Sequence, residues 1–137
     1  MAPKSVLFLC TGNSCRSQMA EAMVNALPDH TWQAFSAGTN PAGYVHPMAL
    51  RVLEEVGIHH QGESKPAQVF MGWDFDLVVT VCSDAEKNCP VWFGSGRKLH
   101  VPLDDPAAVT GDEKTRLTAF RDLREQIQKN ILPLLKE

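Results

Sequence analysis

The run Ser5-Val-Leu-Phe-Leu-Cys10 leaves few folds open. A continuous apolar stretch of this length suits a strand buried on both faces, because a strand facing water on one side alternates. It leads straight into Cys10-Thr-Gly-Asn-Ser-Cys-Arg16, and then into helical spacing over Ser17–Leu27, with Met19, Ala20, Met23, Val24 and Leu27 on one face. The alternation then repeats. Trp32–Gly38 reads as a second strand. His46–Gly57 reads as a helix with Pro47 in its first turn and Gly57 at its C-terminal cap. Phe75–Cys82 is the clearest buried strand and Lys98–Leu103 a shorter one. Asp112–Leu132 is a long amphipathic helix with Leu117, Phe120, Leu123, Ile127 and Ile131 inward. Strands alternating with helices predict a parallel sheet covered on both faces. Such sheets bind ligands at the carboxyl ends of their strands. Cys10, Cys82 and the pair Asp104–Asp105 each fall at such an end.

Length and charge narrow the function. The 137 residues suit one domain spanning 1–137. Lys and Arg total 13 against 16 Asp and Glu, with no basic run, so no nucleic-acid partner is expected. Any anion site must be local, built from backbone N–H groups and one or two cations. The N-terminal apolar run is too short for a signal-peptide core, and no stretch spans a bilayer. The expectation is a cytoplasmic monomer without a membrane partner. Four cysteines in that compartment point to reduced, catalytic or metal-bound thiols rather than structural disulfides.

The first loop carries the chemistry. A turn this tight needs a positive φ, which Gly12 and Asn13 tolerate best. Successive N–H groups from Thr11 through Ser14 and Cys15 would then form an anion nest at a helix start. Arg16 adds a planar fork of donors for a tetrahedral oxyanion. The same field favours a thiolate at Cys10. Ser17 can cap the helix and give its hydroxyl to that thiolate. The plain alternative is a structural thiol at a strand end.

"CTGNSCRS" resembles the phosphate-binding loop of low-molecular-weight protein tyrosine phosphatases and of the arsenate reductases that share their fold. "LDDPA" (Leu103–Ala107) resembles the Asp-Pro loop of both groups, and the likeness runs along essentially the whole chain. It implies a three-layer α/β/α fold with a four-stranded parallel sheet, Cys10 as nucleophile, Arg16 as oxyanion ligand and Asp105 as general acid. Asp104 is the other candidate acid; Asp105 is preferred because Pro106 follows it. A bare turn is the alternative for both.

"VCSDAEKNCP" (Val81–Pro90) separates the two groups. It resembles the redox helix of thioredoxin-coupled arsenate reductases. That resemblance implies a relay: Cys10 attacks arsenate, Cys82 attacks Cys10 and arsenite leaves, Cys89 attacks Cys82, and thioredoxin reduces the Cys82–Cys89 disulfide. Ser83-Asp-Ala-Glu86 has the form of a capping box, and Pro90 stops the helix. Seven residues of helix separate the two cysteines by about 10 Å, whereas a disulfide needs its Cα atoms within about 7 Å. The segment must therefore unwind to form the bond. A buried strand cysteine and an unrelated surface one are the alternative. Cys15 reads as a packing residue in the loop or as a reserve thiol.

Weaker signals remain. The resemblance to arsenate reductases, some of which carry a potassium site near the loop, implies Asn13 and Ser36 as matching positions, with Ser64 as the candidate third. Lys65 follows where some members have an acid, and it would oppose a cation. His59 and His60 read as a solvated turn. Trp73, Trp92 and Phe93 read as packing or as a docking face beside the redox segment. A tyrosine phosphatase is the second hypothesis. Against it stand Ala107 and Ala108 after the Asp-Pro pair, where an aromatic clasp is expected, and Tyr44, which the sequence places away from the site. A thiol metal module is the third, with cysteine spacings unlike zinc ribbons.

Overall fold

The computed structural model describes residues 2–83, 92, 94 and 96–136. Four strands form one parallel sheet: β1 (Lys4–Cys10), β2 (Trp32–Gly38), β3 (Leu77–Thr80) and β4 (Arg97–His100), in the order β2-β1-β3-β4. β1 is central, and the doubly buried strand expected there is observed. Val6, Phe8 and Cys10 enter one core while Leu7 and Leu9 enter the other. This is the two-residue period of a strand, with both faces covered.

Three layers result. Helices α1 (Arg16–Asn25), α2 (Pro47–Glu54) and α3 (Glu113–Asn130) contribute to the core that contains Val6 and Phe8. A 3-10 helix over Ala67–Phe70, with Phe75 and Trp92, covers the other face. On α3, Leu117, Phe120, Leu123 and Ile127 are all buried, as their spacing predicts. Asp112 caps that helix through Thr115 N–H at 2.8 Å. α2 ends in a Schellman-type turn. Ile58 N–H reaches Leu53 O, and Gly57 N–H reaches Glu54 O, both at 3.0 Å, with Gly57 at φ +81°.

Several boundaries differ from the sequence reading. The β3 ladder is Leu77–Thr80, paired with Val6–Leu9 of β1, rather than Phe75–Cys82. β4 is Arg97–His100 rather than Lys98–Leu103, since Pro102 has no N–H to continue the ladder. α1 starts at Arg16, and its cap position is Cys15 with no side-chain hydrogen bond, so Ser17 is not the cap. Residues 84–89 of the short helix expected from Ser83 to Cys89, with Cys89 among them, lie outside the described residues, as does Phe93. Among the described residues no helix is long and apolar enough to cross a membrane.

Phe120 is fully buried and packs on the His46 ring at 4.7 Å between centroids, tying α3 to the start of α2. Truncation to alanine at such a site costs about 3–5 kcal/mol. Phe120→Ala should lower the urea midpoint correspondingly at unchanged m-value. A loss below about 1 kcal/mol would mean this packing is not what joins the two helices.

Candidate active site

The carboxyl end of the sheet gathers the expected residues. β1 delivers Cys10, the chain after β3 delivers Cys82, and the chain after β4 delivers Leu103 to Asp105. Val81 N–H bonds Leu9 O at 2.9 Å, and Leu103 N–H bonds Val81 O at 3.2 Å, so the three strand ends stay in step. Thr11 Oγ1 lies 4.0 Å from Cys82 Sγ. Cys10 and Cys82 are buried and neither is in a disulfide.

The loop is held from outside by its carbonyls. Thr39, Asn40, Ala42 and His46 donate their N–H groups to Cys10 O, Thr11 O, Gly12 O and Ser14 O at 2.8–3.3 Å. In a trans peptide the N–H points opposite the C=O. The N–H groups of Thr11, Gly12, Asn13 and Cys15 therefore turn to the concave side and form a nest. Asn13 N–H reaches Cys10 Sγ at 3.2 Å. The positive φ falls on Asn13, at +47°, and not on Gly12. Close approach is supplied by Gly38: a Cβ there would collide with Thr11 O and stand 3.0 Å from Asn13 N.

The side-chain network fixes proton positions. Lys65 N–H and Gln18 Nε2 both point at one atom of Asn13, at 2.9 and 3.0 Å, so that atom is the oxygen. The other is the amide nitrogen, which donates to Ser17 Oγ at 2.8 Å. Ser17 must then direct its own proton to Cys10 Sγ, 2.8 Å away. Two hydrogens, from Ser17 and from Asn13 N–H, are thus aimed at one sulfur. Gln18 Nε2 also donates to Glu63 O at 2.8 Å, leaving Gln18 Oε1 to accept from His60 Nε2 at 2.8 Å. His60 is therefore not in a solvated turn; its side chain is 9% exposed and lies over α1.

A cavity of about 190 Å³ opens over the loop, lined by Cys10, Arg16, Tyr44, His46, Asp105 and Ala107 among others. Arg16 is buried, donates Nη1–H to Leu103 O at 3.4 Å, and places Nη2 3.9 Å from Asp105 Oδ2. Asp105 is half-exposed and accepts Ala107 N–H at 3.0 Å. Asp104 instead faces Gln126, which donates Nε2–H to Asp104 Oδ2 at 2.9 Å, and it does not line the cavity. Burial, with the Asp105 carboxylate second, pushes the Cys15 thiol up to about 12, so at neutral pH Cys15 is no rival nucleophile. Tyr44 lies at the cavity, contrary to the sequence reading. The segment 39–46 folds back over the loop through backbone bonds that no side-chain pattern announces. A larger cavity of about 310 Å³ between α1 and α3 is lined by Met23, Leu27, Ile58 and Leu132. It has no thiol and touches no carboxyl end of the sheet.

The potassium expectation does not fit. A hard cation needs several oxygen lone pairs and uncompensated negative charge. Asn13 Oδ1 already accepts two N–H groups. Ser36 Oγ–H bonds Glu21 Oε1 at 2.9 Å, and Ser64 Oγ is held between Gly12 O and Gly43 N–H, both at 3.1 Å. The Lys65 ammonium stands 4.0 Å from Glu21 Oε1. Among the described residues no three His, Cys, Asp or Glu side chains converge as metal ligands, which leaves the thiol metal module without a site there.

A cysteine and an arginine in a backbone nest, faced by an Asp-Pro loop at the end of a parallel sheet, define a class of oxyanion enzymes. The family model described as low molecular weight phosphotyrosine protein phosphatase matches residues 5–137, and the chain belongs to that family. Within it the chain is similar to arsenate reductase 2 of Staphylococcus epidermidis, 40% identical over 134 residues that cover 96% of this chain and 95% of that protein. Among solved structures, an arsenate reductase in its phosphate-binding state superposes with a TM-score of 0.80 at 32% identity, covering 97% of both chains. A thioredoxin-dependent arsenate reductase of Corynebacterium glutamicum superposes with a TM-score of 0.67 at 26% identity, covering 98% of this chain and 62% of that one.

Two predictions follow from this geometry. Ser17→Ala should slow alkylation of Cys10 by iodoacetamide about tenfold at about pH 6, the cost of one lost hydrogen bond to a charged group; an unchanged rate would remove Ser17 from the thiolate's support. His46 and His60 are both held below the ordinary imidazole range, chiefly by burial. Below about pH 6.5 the unfolded chain binds protons that the folded chain refuses, so these groups withdraw stability as pH falls. The urea midpoint of His60→Gln should fall less than that of the parent between pH 7.5 and 5.5, and equal slopes would contradict the assignment.

Proposed function

We propose that this chain reduces arsenate to arsenite in arsenic detoxification. The observation that carries the reading is the pair of buried thiols at one sheet end, Cys10 in the oxyanion nest and Cys82 beside Thr11. Hydrolysis of a phosphoester needs the first thiol and has no use for the second. The arsenate reductases among its relatives support the same reading.

The steps balance as follows. The Cys10 thiolate attacks arsenic(V) held by the loop N–H groups of residues 11–17 and by Arg16. One oxygen leaves as water, with its proton supplied by Asp105. Cys82, as thiolate, attacks Cys10 Sγ. The sulfur–arsenic bond breaks with its electron pair passing to arsenic, which leaves as arsenite, and a Cys10–Cys82 disulfide remains. Cys89 attacks Cys82 Sγ and releases the Cys10 thiolate. A dithiol reductant then opens Cys82–Cys89. Thioredoxin is the proposed reductant, supported by the thioredoxin-dependent relative. The chain would act as one domain over residues 1–137 and as a monomer in the cytoplasm, whose reducing conditions keep the relay thiols available.

A weak phosphoester activity is a second reading, favoured by Tyr44, whose ring lines the cavity beside Asp105 and Ala107. The test follows NADPH consumption on adding arsenate with thioredoxin and thioredoxin reductase. The parent should turn over, and Cys10→Ser should lose both activities. Cys82→Ser and Cys89→Ser should fall below about 1% in multiple turnover while keeping p-nitrophenyl phosphate cleavage within about twofold. Turnover by Cys89→Ser at the parent's rate would overturn the three-thiol relay.

A further inference from the structure

Glu21 is a buried carboxylate that the chemistry at Cys10 does not use. Its side chain is 14% exposed, and burial raises it above the ordinary carboxylate range. An ionised carboxylate so short of water requires a charge partner. Ser36 gives it a hydroxyl hydrogen bond at 2.9 Å and a main-chain one besides, both neutral donors. His60 Nε2, 3.7 Å from Oε2, belongs to an imidazole that burial and Lys65 keep neutral. Among the described residues the cation placed against Glu21 is Lys65, whose Nζ is 4.0 Å from Oε1.

Lys65 has two further contacts. Its Nζ donates to Glu63 O at 2.8 Å, and its main-chain N–H donates to Asn13 Oδ1 at 2.9 Å. Glu63 O in turn accepts from Gln18, which holds the same Asn13 oxygen. The ammonium therefore ties Glu21 on α1 to the segment 63–65, and that segment fixes the amide that orients Ser17 toward Cys10. We propose that Lys65 is a positioning residue that serves as a tethered cation, standing in for a bound alkali-metal ion and making the Cys10 loop independent of one. Relying on Cys10 as the reactive thiol, the inference deepens the functional reading without depending on the substrate.

The test compares the parent, Lys65→Ala and Lys65→Arg in potassium, sodium, ammonium and choline chloride at equal ionic strength. The readout is the iodoacetamide alkylation rate of Cys10 at about pH 6, alongside arsenate turnover. The parent and Lys65→Arg should react at rates within about twofold of one another in all four salts. Lys65→Ala should alkylate about tenfold more slowly in choline, the scale of one lost charged contact, and recover at least about threefold in potassium or ammonium. Potassium stimulation of the parent overturns the proposal, and so does a Lys65→Ala protein that alkylates like the parent in choline. Should Lys65→Ala not fold, Lys65→Gln replaces it, and the parent's salt response decides on its own. Alkylation involves no arsenate, so a chain that failed to reduce arsenate would still report on Lys65.

Discussion

The Asn13 side chain is the point on which the loop depends. Its oxygen takes hydrogen bonds from Lys65 and Gln18, and its amide nitrogen gives one to Ser17. That asymmetry settles which way the serine proton points. The same residue sits at φ +47°, which its short polar side chain tolerates and which turns its N–H onto the sulfur. One residue thus sets the backbone bend and the side-chain polarity together. The remaining loop contacts keep carbonyls outward, leaving N–H groups for the anion.

An anion site in a chain of net charge −3 has to be built this way. Long-range attraction is absent, so the field comes from aligned peptide dipoles, the start of α1 and the buried Arg16. Cys15 shows how local that field is. It lies within the same loop, yet burial and Asp105 keep it a thiol. Loop membership alone does not distinguish the two thiols; the two hydrogens aimed at Cys10 Sγ do.

Much of this was legible in the residues. The apolar run of β1, the loop after it and the inner face of α3 follow from periodicity, and they are where the sequence reading and the structure agree most closely. Ladder lengths were less legible: the apolar run of β3 continues past Thr80, where its ladder stops, and β4 stops before Pro102, which has no donor. His60 and Tyr44 were misplaced for a shared reason. Tyr44 sits on a segment that folds back over the loop through backbone hydrogen bonds, and His60 is held over α1 by the Gln18 side chain; neither contact leaves a mark in local side-chain pattern. Lys65 was half legible: its charge argued against a cation, while its contact with Glu21, 44 residues away in sequence, needed the fold.

The central claim is that oxidation passes from arsenic to sulfur within this chain. The most direct measurement treats the fully reduced protein with arsenate in the absence of any reductant and counts free thiols, with peptide mapping of the product. The account predicts loss of two of the four thiols, one arsenite per chain, and a disulfide joining Cys82 to Cys89 with Cys10 free again. Four thiols remaining, with no arsenite formed, would contradict it.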